Sequence, residues 1–168
     1  MTRHLFDMSF WLAAPFWALM ILAPGWRWTR RAVASPLICV PPLLVYLAIM
    51  APHFAQFWPV MIRPNLVALQ ALLAGSPGAA ATWAHLIGFD LFLGRSMYLD
   101  TRPRRIHPLV VSAILLTTIV FSPIGVLTYL LVRSARAGAA AAAPDPALAD
   151  HHQTHSPASN VKDRPRIQ

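Results

Sequence analysis

Four long apolar runs, bounded by arginine, proline or glycine, organise this chain. They extend from Phe6 to Gly25, from Pro36 to Pro52, from Ala79 to Leu99 and from Pro108 to Val132. A helix needs about 20 apolar residues to cross a bilayer, within a range of about 17–25. The pattern therefore predicts an all-α, integral membrane four-helix bundle. Prolines punctuate the runs. Pro15 lies inside the first, and Pro41-Pro42 fall in the first half of the second. Adjacent prolines remove two backbone donors, so kinked helices are expected. Phe121-Ser-Pro-Ile-Gly125 sits in the middle of the fourth run, after Thr117 and Thr118, whose hydroxyls can bond back to the chain or across to a neighbour.

Residues 53–78 fit the pattern less well. Phe54, Phe57, Trp58, Met61 and Ile62 form an aromatic, apolar patch interrupted by Pro59 and Pro64. Leu66 to Leu73 is too short to span and reads as an interfacial or re-entrant helix. Ser76-Pro77-Gly78 marks a turn. After residue 136 the character changes to Ala, Pro, Asp, His and Ser without apolar period. The expected organisation is a four-span bundle over residues 1–136 and a disordered tail over 137–168. His151, His152 and His155 read as incidental histidines of a solvated tail.

Composition agrees with the pattern. The chain is 57% hydrophobic and 12% charged, against about 45–50% and about 25% for soluble domains. Its net charge of +8 comes mainly from arginines that flank apolar runs, so topology signals and phospholipid head groups explain it better than nucleic acid. Glycine-rich phosphate loops and zinc-finger spacings are missing. Cys39 is the single cysteine and lies in an apolar run, where it reads as a buried small hydrophobe. The first run follows Arg3 and precedes Gly25-Trp-Arg-Trp28, with no small-x-small cleavage site, so it reads as a retained helix. Arg27, Arg30 and Arg31 in one short loop and Arg102, Arg104 and Arg105 in another outweigh Arg3, Arg63, Arg133 and Arg136. That bias predicts both basic loops in the cytoplasm and both termini outside. Trp26 and Trp28 fit an interfacial aromatic belt.

The candidate chemistry lies in Trp83 to Asp100, a span that carries His85, Asp90 and Arg95. An Asp or Arg at a helix centre costs about 2.5–3.5 kcal/mol on insertion scales. Three such groups in one span imply partners, a wet cavity or a ligand. His85 and Asp90 are about 140° apart around a helix, as are Asp90 and Arg95. They form no one-faced ladder, and each needs partners from other helices. Gly88 and Gly94 allow close helix approach. Asp90 reads either as a bundle-fixing hydrogen bond or ion pair, or as a proton-handling acid or base. His85 reads either as a satisfied bundle histidine or as its catalytic companion. No paired ligand motif points to a metal, and the sequence identifies no cofactor. Arg95 is expected to snorkel toward the basic loop.

Three segments together carry a family resemblance. They are Pro15-Phe-Trp-Ala-Leu-Met-Ile-Leu-Ala-Pro24 followed by Thr29 and Arg30; Trp83-x-His85-Leu-x-x-Phe-Asp90-Leu-Phe-x-x-Arg95 followed by Tyr98 and Asp100; and Ser122-Pro-Ile-Gly125 with Tyr129 and Arg133. Over about residues 8–136 the chain resembles the small membrane proteins similar to the plant abscisic-acid-deficient-four protein. The resemblance implies a role in carotenoid metabolism. The plant member is associated with forming neoxanthin from violaxanthin, an epoxide-opening isomerisation that yields an allene. For this chain a bacterial carotenoid or other isoprenoid is the expected ligand, and its Ala/Arg/Pro bias gives a bacterial inner membrane as the expected location. Asp90 and His85 are the expected catalytic pair, with Trp83, Phe89, Arg95 and Tyr98 lining the substrate. Membrane lipid, an apolar polyene and other carotenoid enzymes are the expected partners. Two other readings stand beside the isomerase: a non-catalytic carrier that delivers carotenoid to another enzyme, and a small transport or proton-conducting protein.

Overall fold

The computed structural model describes residues 1–104 and 106–141, which are helical with no strand among them. The α-helices are α1 (Thr2–Leu22), α2 (Arg27–Ala34), α3 (Val40–Met50), α4 (Phe54–Ile62), α5 (Leu66–Ala74), α6 (Ser76–Thr101), α7 (Pro108–Val120) and α8 (Ser122–Ala141). Short 3₁₀ turns at Pro36–Cys39 and Ala51–His53 lead into α3 and α4. The chain divides into two units, 1–133 and 134–168. The first unit holds α1 to α7 and the opening turns of α8. Helix α8 continues past the expected boundary at residue 136 to Ala141. The rest of the expected tail, with its three histidines, lies outside the described residues.

Two segments are long and apolar enough to cross a membrane, Thr2–Leu22 and Pro36–Ile62, and a third qualifies if α5 and α6 are taken together. The second is longer than its apolar run suggests. Pro41 and Pro42 fall in the first turn of α3, where the missing N–H groups have no intrahelical partner to lose. The 3₁₀ turn at Ala51–His53 carries the chain through Pro52, and His53 Nδ1 lies 2.9 Å from the carbonyl of Ile49. Helix α5 has no buried residue and is bent by 95° from α6, as expected of an interfacial or re-entrant piece. The break falls at Gly75, and Pro77 sits in the first turn of α6.

Helix α6 forms the centre. It runs in the same direction as α1: Trp83 stacks on Phe6 at 5.5 Å, Gly94 lies against the Trp17 ring, and Tyr98 reaches the Pro24 carbonyl. It runs opposite to α3, with His85 beside Tyr46 and Gly88 beside Leu43. A Cβ at Gly94 would collide with Trp17, and one at Gly88 with Leu43, so both glycines provide the expected close approach. The C-terminal ends of α1 and α6 therefore meet at one end of the molecule, which we call the arginine-rich end. Cys39 is buried there in a core with Trp17, Met20, Leu91 and Tyr98.

The fourth run does not form one continuous spanning helix. It breaks at Phe121 (φ −137°, ψ 76°), and the chain reverses. Gly125 in the first turn of α8 presses on the backbone of Thr118 near the end of α7. Further out, Ala113 and Thr128 line one groove, together with Val110 and Val132. Those pairs define an antiparallel hairpin. Helix α7 starts at the arginine-rich end, where Ser112 Oγ donates to the carbonyl of Ile21 at 2.8 Å. Near the hairpin tip Ile119 lines one groove with Ile87 of α6 and with α1 residues from Phe10 to Leu22. Helix α8 then returns, so that Tyr129 and Arg133 meet Asp100. The cause is local. Pro123 cannot donate to Ile119 and would clash with its carbonyl in a continuous helix, but is tolerated in the first turn of a new one. Thr117 and Thr118 bond back to Ala113 and Ile114 at 2.9 and 2.8 Å. At 13 residues, α7 is about 20 Å long, short of a hydrocarbon core of about 30 Å.

Candidate functional site

The polar residues of α6 fall into two groups. Those near its C-terminal end hold neighbouring segments in place. Arg95 Nε donates to the carbonyl of Val33 at 2.8 Å and Nη2 to that of Ala34 at 2.6 Å. These are the last two carbonyls of α2, which lack intrahelical donors. The expected snorkelling side chain thus does turn toward the basic end, but stops on backbone oxygens. Tyr98 is buried and donates to the carbonyl of Pro24 at 2.7 Å, while Arg102 donates to its hydroxyl and lies over its ring at 4.8 Å. Asp100 accepts Arg104 Nη1 on Oδ1 at 2.6 Å and the Tyr129 hydroxyl on Oδ2, with Arg133 Nε 3.7 Å from the same oxygen. Thr29, fully buried, donates to the Ala23 carbonyl at 2.8 Å.

His85 and Asp90 sit near the middle of α6 and are used differently. The His85 ring stacks on Phe89 at 4.5 Å and meets Tyr46 edge-on at 5.5 Å. It lies on an exposed face of α6 with Leu86, Phe89 and Phe92. Asp90 is half-buried on another face, with Ser122 and the ring of His85 in its surroundings. Among the described residues Asp90 takes part in no ion pair, and no set of three or more His, Cys, Asp or Glu gathers into a metal site. The two candidate catalytic groups are therefore neighbours on one helix without direct contact. Of the expected substrate-lining residues, Trp83 and Phe89 are exposed on the outer face of α6, whereas Arg95 and Tyr98 are engaged at its end.

Apolar grooves flank this level. One of about 280 Å³ runs between α1 and the hairpin, lined by Phe10, Ala13, Ala14, Trp17, Ile87 and Ile119. Another of about 200 Å³ lies beside Leu43, Gly88, Phe89 and Phe92. Ser122 is the site residue that the hydrophobic pattern alone did not reveal. Its signal was a hydroxyl placed immediately before proline in an apolar run, a place where a helix breaks and leaves polar groups to satisfy.

Protein ABA DEFICIENT 4, chloroplastic, from Arabidopsis thaliana is 28% identical over 127 residues, which cover 71% of this chain and 56% of that protein. This chain thus spans little more than half the length of that relative. The relative's chloroplastic label gives no support to the bacterial inner membrane expected from composition; the apolar helices fit membrane association in general. No solved structure matches. The model of the ABA DEFICIENT 4-like family matches residues 4–129, from the first turn of α1 to the middle of α8, and the chain belongs to that family.

Proposed function

We propose that this protein is a membrane-embedded isomerase of carotenoid or related isoprenoid metabolism, acting on a polyene or xanthophyll epoxide at the level of Asp90. The observation that carries the reading is the different use of polar groups along α6. Arg95, Tyr98 and Asp100 are committed to neighbouring segments, whereas among the described residues His85 meets aromatic rings and Asp90 takes part in no ion pair, at a level flanked by apolar grooves. Such intramembrane ionisable groups are costly and are retained at functional sites by default.

An apolar polyene partitions into the bilayer and reaches the grooves laterally. Opening an epoxide to an isomeric alcohol needs a proton delivered to oxygen and another removed from carbon, with no net oxidation or reduction. A carboxyl and an imidazole can divide that work. Asp90 and His85 take it in turn through the bound substrate, which fits their proximity without contact. Trp83 and Phe89 supply ring surface for the polyene. Arg95 and Tyr98 act on the substrate only through the scaffold they hold.

Purified protein in lipid nanodiscs, incubated with a defined xanthophyll epoxide and followed by pigment chromatography, tests the reading. Formation of an isomeric product, lost in Asp90→Asn, supports it. Retention of unchanged pigment by the folded protein moves the function to carotenoid delivery. The ligand class remains the same in that outcome, and the chemistry belongs to a partner enzyme.

A further inference from the structure

Helix α2 joins the two apolar stretches that are long enough to cross a membrane. Thr2–Leu22 ends five residues before Arg27, and Pro36–Ile62 begins two after Ala34. The helix is fixed to the bundle along one face. Thr29 and Val33 are fully buried, Thr29 donates to the carbonyl of Ala23, and Arg95 holds the carbonyls of Val33 and Ala34. Tyr98, one turn along α6 from Arg95, holds the Pro24 carbonyl just ahead of the helix. At about 100° per residue, the face opposite Thr29 and Val33 carries Arg27 and Arg31, with Arg30 and Trp28 on its two flanks. All four are exposed, as is Trp26. The Arg31 guanidinium lies over the Trp28 ring at 5.4 Å.

These arginines have no counter-charge in the fold. Among the described residues the side-chain carboxylates are those of Asp7, Asp90 and Asp100. Asp7 lies in the second turn of α1, toward the opposite end, and Asp90 near the middle of α6. Asp100 is taken up by Arg104, Tyr129 and Arg133. Like charges four apart on a helix repel, and basic residues in the first turn oppose the helix dipole. An external anion relieves both. We propose that the outer face of α2 is a binding surface for anionic phospholipid, with Arg27, Arg30 and Arg31 on the head-group phosphates and Trp26 and Trp28 at the boundary with the acyl chains. Two observations select lipid over a soluble anion. One is the place of α2 between two apolar stretches. The other is the interleaving of tryptophan with arginine, since tryptophan favours the membrane–water interface. This surface is separate from the level of Asp90 and independent of the proposed reaction.

The test uses the full chain in detergent, titrated with phosphatidylglycerol or phosphatidylcholine of matched acyl chains, with retained lipid counted by native mass spectrometry. Phosphatidylglycerol is expected to be retained at the lower concentration. A basic residue at an anionic surface is worth about fivefold in binding. Arg27→Gln with Arg31→Gln should therefore weaken phosphatidylglycerol retention about 25-fold and leave phosphatidylcholine unchanged. Arg27→Lys with Arg31→Lys should restore most of it, and Arg3→Gln with Arg63→Gln, at the other end, should cost far less. Ionic strength gives a readout that needs no variant to fold. Raising it from about 0.1 M to about 1 M shortens the Debye length from about 10 Å to about 3 Å and should abolish the preference in the unaltered protein. Equal losses in the two Gln variants, or a preference indifferent to salt, would overturn the proposal. So would displacement of phosphatidylglycerol by inorganic phosphate at matched ionic strength, which would make the ligand a soluble anion. A preference that emerges only when Asp145, Asp150 and Asp163 are all changed to Asn would also overturn it, because the chain's own C-terminal segment would then be the occupant.

Discussion

The arginine-rich end and the mid-depth level of the same helix spend polar side chains in opposite ways. At the end, Thr29, Arg95 and Tyr98 all donate to backbone carbonyls where α1 and α2 stop. Helix ends leave such carbonyls without partners, and in an apolar setting each must be met. Polar residues there are structural because the chain has ends to close. At mid-depth α6 is an unbroken helix, and its own backbone asks for nothing. His85 and Asp90 therefore lack the excuse of capping. One resemblance segment, Trp83 to Asp100, holds both kinds of residue, and only position along the helix separates them.

The most drastic way to break this comparison is topological, because its effect is all or none. Arg27, Arg30, Arg31, Arg102, Arg104 and Arg133 belong to the arginine-rich end, against Arg3 and Arg63 at the other. With the hairpin in place, Arg133 joins the majority instead of opposing it, which strengthens the bias that places this end in the cytoplasm. Reporters fused after residues 30, 104 and 140 are expected to share the cytoplasmic side, and one after residue 60 to report the other. A fusion after 140 reading outside would mean that residues 108–132 cross after all.

Next in size is the effect of Asp90 on turnover. Asp90→Asn keeps volume and hydrogen bonding but cannot exchange a proton near neutral pH. A loss of about 10²–10⁴ in rate is expected, the usual worth of a general acid or base, with the thermal midpoint in detergent unchanged. His85→Ala should fall in the same range. Full conversion by the Asp90→Asn protein would place mid-depth and end in one structural class and erase the contrast.

Tyr98 supplies the opposite signature. Tyr98→Ala is expected to cost about 3–5 kcal/mol, as for other large aromatic truncations in a core, and to orphan the Pro24 carbonyl. Folded yield and thermal midpoint should drop together, with the activity of the surviving folded fraction close to normal. Selective loss of turnover at full stability would instead return Tyr98 to the substrate wall where sequence reasoning had placed it.

Much of this was legible in the sequence. Run length and hydrophobicity gave the helical class and its apolar helices, and Gly88 and Gly94 pointed to close packing, which falls on Leu43 and Trp17. The position of His85 and Asp90 at mid-span followed from counting alone. Two things were not legible. The reversal at Phe121 depends on whether a Ser-Pro break kinks a helix or folds it back, and periodicity is the same for both. The partners of Arg95 and Tyr98 lie about 60–75 residues away, so no local pattern contains them. Arg95 was the instructive case, because its expected direction was right and its destination was missed.

Arg95 gives the smallest effect and the finest discrimination. Arg95→Ala leaves the part-buried carbonyl of Val33 and the exposed one of Ala34 without their donors at the end of α2, where full burial would cost about 1–3 kcal/mol for each unsatisfied group. Water from the nearby head-group region can replace part of the loss, which keeps the expected value toward the lower limit. Arg95→Lys should recover only some of it, because an ammonium lacks the planar fork that reaches both oxygens together. The ordering in thermal midpoint is therefore Arg95, then Lys, then Ala, over a few degrees, with turnover tracking the folded fraction. A snorkelling arginine would give a different result: Lys would match Arg, since either head group can reach phosphate. If Lys and Arg prove equal, the carbonyl contacts carry no stability, and the arginine-rich end is held by lipid charge more than by the helix ends it closes.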